Sequence, residues 1–131
     1  IIRNENEDRI SLFSSCAAYS DSVEINVAYI LDTDSFANID VALFIACKTA
    51  YGGANGLNLP SRIVSKGATV AVGFQENIAC DAANTWTSNF YDYFLSGHSV
   101  QESVNYASNL ADADSGLKSV VVCGNGAFSL S

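Results

Sequence analysis

Val41-Ala-Leu-Phe-Ile-Ala-Cys47-Lys-Thr-Ala-Tyr-Gly-Gly53 joins an unbroken apolar run to a cysteine and then to a glycine-rich segment. An apolar run of this length, with no polar alternation, predicts a strand buried on both faces, as in a parallel sheet covered by helices. Cys47 falls at the C-terminal end of that strand, where open α/β sheets present their ligand crevices. The following glycines let backbone approach a bound molecule closely. Tyr51-Gly-Gly-Ala-Asn-Gly56 is read as a loop.

Downstream, helices and strands alternate. Leu57, Leu59, Ile63 and Val64 recur near helical spacing, with Pro60 suited to a first turn and Gly67 to a C-terminal stop. Thr69 to Phe74 returns to strand. Ala82, Ala83, Trp86, Phe90, Tyr93 and Phe94 form one helical stripe that ends at Gly97. Ser99-Val-Gln-Glu102 has the form of a capping box and opens a further helix whose apolar face continues through Val104, Ala107 and Ala111. Lys118 to Cys123 is the last strand. This order predicts an α/β fold with a mainly parallel sheet flanked by helices, and Val41–Ala46, Thr69–Phe74 and Lys118–Cys123 as neighbouring strands, the first two parallel. Before residue 41, Arg9–Ser14 and Val23–Leu31 read as strands or edge segments, and Asp32-Thr-Asp-Ser35 as a turn or cap. No repeat, linker or low-complexity tract divides residues 1–131.

The net charge of -8, from 14 acidic against 6 basic side chains, argues against a nucleic-acid partner, because phosphate binding needs clustered Lys and Arg. The apolar runs are far shorter than the roughly 20 residues that cross a bilayer. The opening Ile1-Ile2-Arg3-Asn4-Glu5-Asn6-Glu7-Asp8 resembles neither a signal nor a transit peptide. The absence of Met leads to the expectation that processing or truncation set this N-terminus. Cys16, Cys47, Cys80 and Cys123 follow no C-x-x-C pattern, so no metal site is expected. They read as packed thiols, although an even number permits disulfides in an exported protein. The compartment stays open, a bacterial exterior or cell surface among the choices.

Ala46-Cys47-Lys-Thr49 after a hydrophobic strand is similar to the Ala-Cys-x-Thr signature of CHAT domains and to nucleophile strands of the caspase-like clan, which includes clostripain and gingipain types. The resemblance continues through Gly56-Leu-Asn-Leu59, Lys66 to Phe74, the aromatic helix of Trp86 and Phe90, and Leu95-Ser-Gly-His-Ser-Val100; residues 36 to 111 match in order and spacing. It implies that the chain is a single partial domain, the C-terminal half of a caspase-like cysteine peptidase domain, with peptide or protein substrates and no cofactor. It further implies Cys47 as nucleophile in a Cys-His dyad, with nearby backbone N–H groups contributing to an oxyanion hole. The loop Gln75-Glu-Asn-Ile-Ala-Cys-Asp81 would help build the pocket for the residue before the scissile bond, so that Glu76 or Asp81 meets a substrate Arg or Lys.

The sequence departs from that pattern at the base. Its one histidine, His98, lies after Cys47, in a turn between two helices, whereas the base of the resembled families precedes the cysteine. His98 is read as a solvated turn residue, and the base is expected from an upstream segment or a second chain. The plainer readings are that Asp81 caps the Trp86 helix, that Glu76 is a solvated loop charge and that Trp86 is core. Asp32 and Asp34 are too close and turn-like for an acid-base pair. The rival to the peptidase is an inactive α/β domain of the same fold that serves as a binding or scaffold module.

Overall fold

A computed structural model describes residues 35–130 and, before them, the strands Ile2–Asn4, Arg9–Phe13 and Ser22–Asn26. These three, β1 to β3, form one antiparallel sheet in that order, with Arg3 opposite Ile10 and Ser11 opposite Glu24. The expected strands at Arg9–Ser14 and Val23–Leu31 are thus found in shorter form. The turn expected at Asp32–Asp34, and the end of the second strand, lie outside the described residues.

The second sheet has the order β4-β5-β6, from Val41–Leu43, Val70–Phe74 and Val120–Gly124. β4 runs parallel to β5, with Val41 opposite Val70, as the sequence predicts. β6 runs antiparallel to β5, with Val72 opposite Val122, so the sheet is mixed rather than mainly parallel. The connections explain the difference. Between β4 and β5 stands one helix, α1 (Leu59–Ser65), and a single crossover returns the chain in the same direction. Between β5 and β6 stand two, α2 (Cys80–Phe94) and α3 (Val100–Asn109), folded back on each other as a hairpin, and the second reversal inverts the strand.

β5 is buried along its whole length because helices cover both faces. Val70, Val72 and Phe74 point to the hairpin, against Trp86, Phe90, Phe94, Val100 and Val104. Ala71 points the other way, to Ile63 and Ala68 at α1. Phe74 and Trp86 meet edge to face at 5.2 Å, and Trp86 stacks on Phe90 at 5.5 Å. Gly73 shares the α1 face, where a Cβ would stand 2.7 Å from Pro60 Cγ and 2.9 Å from Thr49 Oγ1, so only glycine lets these elements approach.

Candidate functional site

β4 ends early. Phe44 N–H still reaches Val72 O at 2.9 Å, but residues 46–50 then fold into a turn that lifts Cys47 off the sheet. Two buried polar side chains make this turn possible. The Thr49 hydroxyl, fully excluded from solvent, lies 3.0 Å from Phe44 O and 3.2 Å from Ala46 O as donor, and accepts Phe74 N–H at 3.2 Å. It thereby supplies hydrogen bonds that the departing strand no longer makes. Asn58, equally buried, donates from Nδ2 to Tyr51 O and Gly53 O, accepts Ser61 N–H, and so ties the glycine-rich loop to the first turn of α1.

Cys47 itself is half-buried and free. Its Sγ accepts Ile78 N–H at 3.3 Å and its S–H faces Ile78 O at 3.6 Å, so one residue of the loop after β5 holds the thiol on both sides. Lys48 adopts φ +53, the one non-glycine with positive φ among the described residues. Such a conformation costs an L-residue energy and is found where the chain must turn sharply, active sites among such places. It aims Lys48 N–H at Glu76 O, 3.0 Å away. The ammonium of Lys48 stands 6.0 Å from the Tyr51 ring centroid.

The loop 75–79 is anchored from its other side too. Gln75 N–H donates to Ser119 O, Glu76 N–H to Ser119 Oγ, and Ala79 N–H to Ser115 O. Gly116, at φ +78, lies so close beneath it that a Cβ would come within 1.8 Å of Asn77 O. The loop is therefore a strut between Cys47 and the 3-10 turns Ala113–Ser115 and Leu117–Ser119. Nothing in the side-chain chemistry of Ile78, Ser119 or Lys48 marks these roles in the sequence, because each acts through backbone or a small hydroxyl.

Glu76 and Asp81 are both exposed on or next to this strut. The expected cap is corrected: the N-cap of α2 is Ala79, with no side-chain cap bond, and Asp81 sits inside the first turn, where its charge suits the helix N-terminus. Cys80, at the start of α2, is exposed and disulfide-bonded, which overturns its reading as a packed thiol; it stands on the solvent side of a helix end rather than inside an apolar strand. Cys123 fits the packed-thiol reading. It is free and buried in β6, and burial raises its pKa above the ordinary 9.0.

The structure separates Cys47 from His98. Ile78 touches the thiol, α2 starts two residues later and runs for 15 residues, so the turn holding His98 lies about 22 Å further along its axis. There the imidazole stacks on Tyr93 at 3.7 Å, with Nδ1 3.7 Å from Glu102 Oε2. The amides expected to build an oxyanion hole are largely engaged: Ala46 N–H with Phe44 O, Lys48 N–H with Glu76 O and Ala50 N–H with Phe74 O. Among the described residues no group of three or more His, Cys, Asp or Glu could hold a metal, and no helix is long and apolar enough to cross a membrane. Comparison with known protein families, with curated proteins and with solved structures found no match.

Proposed function

We propose that Cys47 is the nucleophile of a caspase-like cysteine peptidase and that these residues are its nucleophile-bearing part. The observation that supports this reading is the mounting of the thiol: a half-buried, free sulfur on the turn that follows β4, held by Ile78 and followed by a strained Lys48. A histidine from outside the 131 residues takes the thiol proton, and the sulfur attacks the scissile carbonyl carbon. The carbon–nitrogen bond breaks as the imidazolium returns the proton to the leaving amine. Water then hydrolyses the thioester and regenerates the thiol. A substrate Arg or Lys before the scissile bond would meet Glu76 or Asp81, both exposed on the segment that also touches Cys47. A disulfide at Cys80 favours an oxidising compartment for such an enzyme.

The scaffold reading has an observation of its own. The engaged amides beside Cys47 and the remoteness of His98 leave the described residues without an oxyanion hole or base at the thiol. One series of measurements separates the two. Iodoacetamide should modify Cys47 well before the buried Cys123, and the chain alone should not turn over peptide substrates. A longer polypeptide that includes an upstream His-Gly pair should cleave after Arg or Lys, lose all activity in Cys47→Ala, and lose that preference in Glu76→Lys or Asp81→Lys. Full activity in Cys47→Ala, or a parent polypeptide with no such histidine, sinks the peptidase and leaves the scaffold.

A further inference from the structure

The hairpin of α2 and α3 presents an outer seam that the Cys47 site does not use. Tyr93 is sandwiched between His98, at 3.7 Å and 4° between ring planes, and Tyr106, at 4.3 Å and 10°. Tyr106 and Leu110, one turn apart on α3 and its C-cap, stay 39% and 58% exposed. Beside Leu110 the two helices part into a shallow cleft of about 130 Å³, lined by Ala82, Thr85, Asn89, Ala107 and Asp112. The aromatic ladder and the cleft thus form one continuous strip, with Glu102 beside its His98 end and Asp112 at the other.

The charge of this region is of one sign. No Lys or Arg stands between Lys66 and Lys118, while Asp92, Glu102, Asp112 and Asp114 are all exposed. Tyrosine faces and carboxylates together match guanidinium and ammonium groups, which stack on the one and pair with the other. The cleft is far below the ~300–1,000 Å³ of a small-molecule pocket and has room for one aliphatic side chain.

We propose that the seam between α2 and α3 docks a basic, extended segment of a partner polypeptide, its cationic side chains on Tyr106, Glu102 and Asp112 and an apolar side chain between them in the cleft. Eight positions separate Glu102 from the C-cap Leu110, about 12 Å at helical rise, with Asp112 two residues beyond, a length that an extended peptide with basic residues five apart covers. The strip runs along the flank of α2, from the His98 turn back to the helix's first turn at Ala82, and stands independently of the peptidase reading.

The test is fluorescence anisotropy of a labelled Arg-Ser-Leu-Gly-Ser-Arg peptide titrated with the full chain at low salt. Saturable binding is expected, with no binding of the same peptide carrying Glu for Arg. Tyr106→Ser, and the pair Glu102→Gln with Asp112→Asn, should each weaken it by about tenfold. Leu110→Ser serves as a second seam variant should circular dichroism show Tyr106→Ser unfolded. Asp40→Asn, which removes one carboxylate before β4 where the pair removes two, should leave the affinity unaltered, as should prior alkylation of Cys47. Absence of binding overturns the proposal. Equal loss in Asp40→Asn would reduce the effect to net charge, loss on alkylation would place the peptide at the Cys47 notch, and self-association abolished by Tyr106→Ser would make the occupant a second copy; each of these also overturns it.

Discussion

Residues 44–58 and residues 80–109 lie on either side of β5 in the chain and hold themselves by different means. The first stretch has no helix or strand, excludes two polar side chains from water, Thr49 and Asn58, and carries a residue at φ +53. The second is two regular helices whose inner face is Trp86, Phe90 and Phe94 against Val100 and Val104. One is fixed by directional hydrogen bonds that permit a single geometry. The other is fixed by contact area, which tolerates some shift. A strained turn needs the first kind of support, and an outer layer of helices needs only the second.

The largest effect is expected in the hairpin. Trp86 is 1% exposed, touches Phe74 and Phe90, and donates from Nε1 to Ser108 Oγ at 3.0 Å. Trp86→Ala should lower stability by ~3–5 kcal/mol in urea denaturation, from lost transfer free energy and the cavity left behind. A loss under about 1 kcal/mol would mean that the hairpin does not depend on that cluster.

Thr49→Val should cost less in stability yet act more locally. The substitution keeps the shape but removes the acceptor of Phe74 N–H, a buried group, and should destabilise by about 1–3 kcal/mol. It also frees the end of β4, so the rate of Cys47 alkylation should change, whereas Trp86→Ala should alter it only in proportion to global unfolding. Equal behaviour of the two variants would erase the distinction between the regions.

The two regions also differ in how far the sequence disclosed them. The stripe from Ala82 to Phe94 and the box Ser99 to Glu102 predict α2 and α3 closely, because helical periodicity and capping are local properties. The apolar runs place β4, β5 and β6 side by side. The direction of β6 is missed because it depends on counting two helices as a reversing hairpin rather than as one crossover. At the site, the strand before Cys47 is legible, but β4 stops at Leu43 and leaves the thiol on a turn, and its partner there is the backbone of Ile78, which any residue type could supply. The left-handed turn at Lys48 leaves no mark either, since neither glycine nor asparagine stands there.

That turn gives a smaller and opposite effect. A left-handed conformation costs an L-residue about 1–2 kcal/mol, and glycine gives back part of that as unfolded-state entropy. Lys48→Gly should therefore stabilise the chain by about 0.5 kcal/mol despite losing the contact with Tyr51. In an active longer polypeptide the same change should lower turnover if the strain helps to fix the thiol. Destabilisation instead would show that the Lys48 side chain contributes more than its backbone costs.

The smallest effect is a pH dependence at the far end of the hairpin. Glu102 accepts Ser99 N–H at 2.8 Å and so completes the box in which Ser99 Oγ accepts Glu102 N–H at 3.1 Å. The backbone bond from Ser99 is the main reason its pKa lies below the ordinary 4.5, with the Ser99 hydroxyl next and His98 contributing less; slight desolvation opposes them. A carboxyl whose folded value is below its unfolded value favours folding in its charged form. The contribution is present above the unfolded value, near 4.5, and is lost as pH falls through the folded one. Solvent exposure keeps it small. Glu102→Gln retains an acceptor for Ser99 N–H but removes the charge at the N-terminus of α3, so the variant should unfold at lower urea than the unaltered chain at pH 6, and the gap should narrow steadily as pH falls below 4.5. A gap that does not narrow with falling pH would assign the stabilisation to side-chain shape and hydrogen bonding rather than to charge.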